Sequence, residues 1–183
     1  MSKKEPMNNE QRFETMKQIF ESNYQLIGLA DNKATAILTV NGIMLTVVLA
    51  MVGLLGGIFV IENRVNIAAV VFFVAYLISC LTSITFSILT ILPYQKTGIP
   101  DPRHVFYYVN ILEYKDKNEY LKGLRGILND FSKIEEEFSE QIYAISVVNL
   151  RKYKNVKWCI WTLLSSLILV GIFLLLVILS QSA

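Results

Sequence analysis

The sequence predicts an all-α membrane protein: three transmembrane helices, with long cytoplasmic helical extensions before the first and last spans, assembled as an oligomer. Three observations predict it. The 183-residue chain is 54% hydrophobic with a mean hydropathy of +0.46, too apolar for an ordinary soluble domain. Three apolar stretches each exceed the roughly 20 residues that a helix needs to cross a ~30 Å hydrocarbon layer. Lys and Arg crowd into the polar segments that lead into the first and third stretches, and short basic segments are retained in the cytoplasm.

Residues 1–33 read as a cytoplasmic amphipathic helix. Phe13, Met16, Phe20, Tyr24 and Ile27 recur at a three-four spacing, and Asn8 or Asn9 can cap its start. Gly28 is the sole breaker between Glu10 and Ala34, so this helix is expected to run directly into the first span, 34–61, which carries no charge. A cleavable signal peptide is disfavoured, because a polar segment precedes the span and the span is too long for a signal core. An extracytoplasmic turn follows at 62–66, where Arg64 is offset by Glu62, and then the second span, 67–92. Pro93, Gly98, Pro100 and Pro102 end that span and open a cytoplasmic segment, 93–157.

Within that segment Val105, Phe106, Tyr107, Tyr108 and Val109 form a cluster that is either a short helix or an extended stretch. Asp116 with Glu119 three residues later fits a capping box. Leu121, Leu124, Leu128, Phe131, Phe138, Ile142 and Ile145 then repeat at close to the coiled-coil period. With no proline between Asp116 and Trp158, one unbroken helix on the order of 90 Å is expected to run into the third span, 158–179. Residues 180–183 are an uncharged extracytoplasmic tail. Two thin amphipathic extensions bury little apolar surface alone, which predicts association between copies.

Charge placement sets the expected orientation. Lys3, Lys4, Arg12, Lys17 and Lys33 precede the first span, and eleven Lys and Arg residues lie in 93–157. The amino terminus is therefore expected in the cytoplasm and the carboxyl terminus outside.

Catalysis is not expected, since the single histidine, His104, has no nucleophile signature near it and no Gly-rich phosphate loop occurs. His104 and the run Glu135, Glu136, Glu137 read as solvated residues. The only cysteines, Cys80 and Cys159, supply neither a disulfide framework nor a metal site.

Two stripes of small or hydroxylated residues stand out. In the first span Thr35, Thr39, Gly42, Thr46, Ala50, Gly53 and Gly57 recur at spacings of three and four; in the second, Ser79, Ser83, Ser87 and Thr90 do the same. Such stripes let helices approach closely, and packing within one three-helix bundle is their first reading. An oligomer interface, or a pore that opens on activation, is the second. Asn41, the one strongly polar side chain inside the first span, is expected to bond to a neighbouring helix.

At the cytoplasmic mouth, Asp31 and Lys33 precede the first span, and Arg151, Lys152, Lys154 and Lys157 precede the third. Membrane anchoring explains the basic residues but not the carboxylate. Together with Tyr153, Tyr107 and Tyr108, this belt offers cations for a phosphate and flat rings for a base. It is permissive for a nucleotide.

The stretch Leu29-Ala-Asp-Asn-Lys-Ala-Thr-Ala-Ile-Leu-Thr-Val-Asn-Gly42 resembles the Ala-Asp-x-Lys-Ala entry into the first span of the Pycsar effector family. Glu119-Tyr-Leu, Gln141-Ile142 and Arg151-Lys-Tyr-Lys154 are similar to the rest of that pattern, so the resemblance covers the chain from about Tyr24 to the end of the third span. These are small membrane proteins of a bacterial anti-phage system in which a cyclase makes cyclic UMP or cyclic CMP after infection. The resemblance implies an effector in the bacterial inner membrane that responds to one of these nucleotides and impairs the bilayer, stopping growth. It further implies functional pairing with a nucleotide cyclase through its product, no other cofactor, and no nucleic-acid polymer as partner. The rival reading is a constitutive accessory membrane protein whose cytoplasmic helices dock a partner. A transporter is disfavoured by the lack of intramembrane charge and of repeats.

Overall fold

Asn8 starts the first helix through a reciprocal cap. Its Oδ1 accepts from the Gln11 backbone N–H at 2.8 Å, while Gln11 Oε1 accepts from the Asn8 N–H at 3.1 Å. In the computed structural model, which describes residues 7–54, 64–93, 111–112 and 114–182, four helices follow: α1 (Asn9–Leu54), α2 (Arg64–Ile91), α3 (Lys117–Leu128) and α4 (Phe131–Ser182). Among the described residues there is no strand. Helices α1, α2 and α4 are long and apolar enough to cross a membrane. Arg64, Val65 and Asn66, expected in a turn, already belong to α2. The end of the first span beyond Leu54, the start of that turn and the 105–109 cluster lie outside the described residues.

The capping box at Asp116 forms with one change. Asp116 Oδ1 accepts from the Asn118 and Glu119 N–H groups, but Glu119 Oε2 reaches back one residue further, to the Lys115 N–H at 2.8 Å. The expected unbroken helix from Asp116 to Trp158 does not occur: α3 ends at Leu128 and α4 starts at Phe131. The break falls at Asn129-Asp130, residue types that favour helix ends over helix interiors, and the Asp130 side chain bonds the backbone directly. Asp130 Oδ1 accepts from the Ser132 N–H at 3.1 Å and so caps the next helix. Leu128, expected on the apolar face, is accordingly 53% exposed. Even so, the 52 residues of α4 extend about 78 Å at 1.5 Å each.

The chain divides into two compact units, Met1–Ile27 with Tyr94–Asn149 and Gly28–Pro93 with Leu150–Ala183. In the first unit α1 and α4 run parallel, since contacts rise together along both helices. Arg12 forms an ion pair with Glu135, and its guanidinium lies 5.4 Å from the Phe131 ring centre. Phe138 meets Phe13 and Phe20 edge-on at 5.5 and 6.0 Å. Further along, Asn149 Nδ2 donates to the Asn23 carbonyl at 2.8 Å and Ser146 Oγ bonds Asn23 Oδ1 at 3.3 Å. Asn23 rather than the expected Tyr24 therefore occupies the seam, and Tyr24 is 64% exposed. On α3, Gly123 lies under Tyr114, where a Cβ would stand 3.0 Å from the phenol oxygen.

In the second unit α2 runs antiparallel to α1 and α4. Each helix buries one three-four row: Ala30, Ala34, Ile37, Asn41 and Val48 on α1; Ala69, Phe73, Tyr76, Cys80, Ser83, Ser87 and Thr90 on α2; Lys152, Val156, Cys159, Ser166, Val170, Phe173 and Val177 on α4. That spacing is the knobs-into-holes pattern of left-handed bundles. Outside it, Ile43, Val71, Ile78, Ile168, Leu175 and Ile178 stand mostly exposed. In water such a surface would drive aggregation; in a bilayer it faces acyl chains.

Candidate functional site

The three helices of the second unit are clasped at one end by a buried cation. Thr90 lies in the last turn of α2, where carbonyls have no partner within their own helix. Lys152 Nζ donates to the Thr90 carbonyl at 2.7 Å and also pairs with the Asp31 carboxylate. The negative end of the α2 dipole favours a cation there as well. Lys152 is only 7% exposed, and a buried ammonium costs several kcal/mol unless paired and hydrogen-bonded. Its carboxylate and carbonyl partners come from the other two helices, so one side chain joins α1, α2 and α4.

Around this clasp lies a basic outer belt. Lys33 Nζ sits 5.6 Å from the centre of the Tyr153 ring, a cation-π distance. Lys33, Arg151 and Lys154 are exposed and Tyr153 is half-buried. Of the residues expected to form a ligand belt, Asp31 meets Lys152 and Lys33 meets Tyr153. Tyr107 and Tyr108 lie outside the described residues.

From the clasp a polar thread continues into the bundle. Ser87 Oγ donates to the Ser83 carbonyl at 2.9 Å and lies 3.5 Å from Cys159 Sγ. Ser83 Oγ donates to the Cys159 carbonyl at 3.1 Å and accepts from Asn41 Nδ2 at 2.8 Å. The Cys80 thiol lies 3.6 Å from Asn41 Oδ1. Ser79 Oγ, on the flank of the row, donates to the Thr162 carbonyl at 2.9 Å. At the end of the thread the Tyr76 hydroxyl is buried with, among the described residues, at best the weakly bonding Cys80 thiol as a partner. Beyond it the interior turns apolar, with Val48, Ala69, Phe73, Val170, Phe173 and Val177 in one cluster and the Phe73 and Phe173 rings 5.3 Å apart.

The α1 stripe behaves differently and corrects its first reading. Thr35, Thr39, Gly42, Thr46, Ala50 and Gly53 are all exposed, and a Cβ added at Gly42 or Gly53 would meet nothing within 4 Å. They do not pack within the bundle. Packing follows the parallel row Ala30, Ala34, Ile37, Asn41 and Val48, about a third of a turn away. The hydroxyls of Thr35, Thr39 and Thr46 instead donate to carbonyls four residues back at 2.9 to 3.0 Å, which satisfies them without a partner helix. Thr39, Gly42, Ile43, Thr46 and Val47 line a shallow outer groove. Gly57 lies outside the described residues.

Sequence reasoning missed the Thr90 carbonyl and the inward position of both cysteines. One signal was available: Lys152, Val156 and Cys159 share a single three-four row, which places a lysine in line with buried residues. The family model of the Pycsar effector protein domain matches residues 15–179 of the chain. No curated protein and no solved structure matches it.

Proposed function

Because the chain belongs to the Pycsar effector family and has a role in that anti-phage system, we propose that it is the arm that impairs the bacterial inner membrane when cyclic UMP or cyclic CMP accumulates. The amino terminus and residues 93–157 face the cytoplasm, where a cyclase releases the nucleotide, and the carboxyl terminus faces outside. The basic bias of those segments supports this orientation. The effector acts by conformational change and not by catalysis.

The observation that carries the reading is the clasp of Lys152 on Asp31 and Thr90, which joins three membrane-length helices through one cation. A cyclic phosphodiester is a monoanion, and it offers Lys152 the same charge as the Asp31 carboxylate. Lys33 over the Tyr153 ring, and the exposed Arg151 and Lys154 on the same stretch of α4, are the further groups available to such an anion. Exchange of the carboxylate for the phosphate frees α1 from α2 and α4 at that end. A ligand shifts a population only through unequal affinity for two states, and about 5.5 kcal/mol swings 1:99 to 99:1. Several sites in a homo-oligomer share that requirement.

The test is to express the protein alone, supply cyclic UMP or cyclic CMP, and record membrane potential. Depolarisation that depends on one nucleotide is expected. Depolarisation with neither, or indifference to both, overturns the reading. Lys152→Met, with a near-isosteric apolar side chain, is expected to insert and to lose the nucleotide dependence.

A further inference from the structure

The interior of the second unit is built in two unlike halves. From Thr90 to Tyr76 on α2, fourteen helical steps or about 21 Å of a ~30 Å hydrocarbon layer, the buried row is Thr90, Ser87, Ser83, Cys80 and Tyr76. Asn41 and Cys159 face it from α1 and α4. The remaining stretch is closed by an apolar cluster of Phe73 and Phe173 with Val48, Val170 and Val177, and the buried Asn66 Oδ1 lies beyond it on the same α2 row.

Two features distinguish this thread from ordinary helix packing. The Asn41, Ser83 and Ser87 side chains reach from helix to helix, with Ser87 and Thr90 also bonding back to α2, whereas the threonines of the exposed α1 stripe bond only to their own backbone. The thread also ends on the fully buried Tyr76 phenol hydroxyl, which among the described residues has at best the weakly bonding Cys80 thiol one turn away, immediately before the apolar plug. A buried hydroxyl without a strong partner is costly, and water is the group that satisfies it most readily. Polar lining up to a dry constriction is the arrangement in which a pore is gated by wetting.

Resting on the reading above, that activation impairs the membrane, we infer that the leak runs along this interior seam, with Phe73 and Phe173 as the barrier, and that it admits water and small monovalent ions. Release of the clasp lets the helices separate at the Thr90 end. Water then enters beside Ser87, Cys159, Ser83 and Asn41 and reaches the plug, which parts last.

The two native cysteines report on this directly, because a thiol reacts only where water allows its thiolate to form. A permanently charged methanethiosulfonate reagent converts an accessible thiolate into a mixed disulfide and releases methanesulfinate. Applied to the cytoplasmic face of vesicles carrying the full-length protein, it is expected to leave both cysteines unmodified at rest. With cyclic UMP or cyclic CMP it is expected to modify Cys159 at least about ten-fold faster, as thiolate exposure requires, and to reduce the ion flux. Cys80→Ser isolates the Cys159 signal, and Cys159→Ser isolates that of Cys80.

Nucleotide-dependent depolarisation with both thiols silent overturns the interior path while leaving the effector reading intact. If neither nucleotide produces a leak, that reading fails, and the plug is tested without ligand. Phe173→Ala is then expected to leak constitutively with reactive thiols, and Val177→Thr, which is nearly isosteric, serves if Phe173→Ala does not insert. An inserted variant with a tight membrane and silent thiols overturns the inference.

Discussion

Two stripes of small residues, each carrying hydroxyls, meet opposite fates. Ser83 and Ser87 on α2 are fully buried and their hydroxyls reach α4, while buried Thr90 bonds its hydroxyl back to Phe86 and lends only its main-chain carbonyl to Lys152. Thr35, Thr39 and Thr46 on α1 are exposed and bond only to their own helix. The difference lies in register, since the α2 stripe falls on the same row as Phe73, Tyr76 and Cys80, while the α1 stripe runs beside the row that packs. Residue type says that a helix can be approached closely. Neighbouring large residues on the same row decide whether it is.

The sharpest way to break the comparison is at the clasp, where the inward row carries a charge. Asp31→Ala leaves Lys152 buried against a lone carbonyl; breaking a buried pair costs about 3–5 kcal/mol, with the low end expected because the Asp31 side chain is 33% exposed. Denaturation in mild detergent should show that loss, and Asp31→Ala combined with Lys152→Met should recover most of it. Lys154→Ala, on the exposed side of α4, should fall within about 0.5 kcal/mol of wild type.

A smaller separation is expected between the stripes themselves. Ser83→Leu forces a large side chain between Asn41 and Cys159 and should cost about 1–3 kcal/mol by overpacking, whereas Thr46→Leu faces open space and should cost under about 0.5 kcal/mol. Equal losses for the two in the same unfolding assay would remove the distinction. Asn41→Leu deletes the bond to Ser83, and side-chain hydrogen bonds in membranes average only about 0.6 kcal/mol with a maximum near 1.7. A double-mutant cycle with Ser83→Ala isolates that coupling. Smallest of all is Gly42→Leu, where a Cβ meets nothing within 4 Å. Stability should be unchanged within about 0.5 kcal/mol, so any shift in its cross-linking pattern reports assembly alone.

Much of the fold was legible because hydrocarbon imposes few solutions. Apolar runs of sufficient length mark α1, α2 and α4, and Asn8 and Asp116 announce the starts of α1 and α3 through side-chain chemistry confined to four residues. The interruption at Asn129-Asp130 was missed because the apolar period passes through it, from Leu121 and Leu124 to Phe131 and Phe138, and no proline marks it. Tyr24 was assigned to the seam because both Asn23 and Tyr24 satisfy a three-four spacing between Phe20 and Ile27. Amide hydrogen bonds to Ser146 and Asn149 settle the choice, and they involve residues over a hundred positions away. The clasp was half legible. Asp31 stood out as a carboxylate that anchoring does not require, yet the Thr90 carbonyl is backbone, and backbone acceptors at a helix end leave no mark in residue type.

The Asn129-Asp130 joint also matters to anyone who would alter this protein. Both residues are exposed; their N–H groups close α3 on the Arg125 and Ile127 carbonyls, and the Asp130 carbonyl opens α4 by accepting from Lys133 and Ile134, so the two helices change over at Asp130. An epitope or a small fluorescent reporter grafted there lengthens a connection that is already irregular, at the slow logarithmic entropy cost of a longer loop. Placed a few turns later, inside α4, the same graft would rotate Ser146 and Asn149 off Asn23 and scramble the pairing that follows.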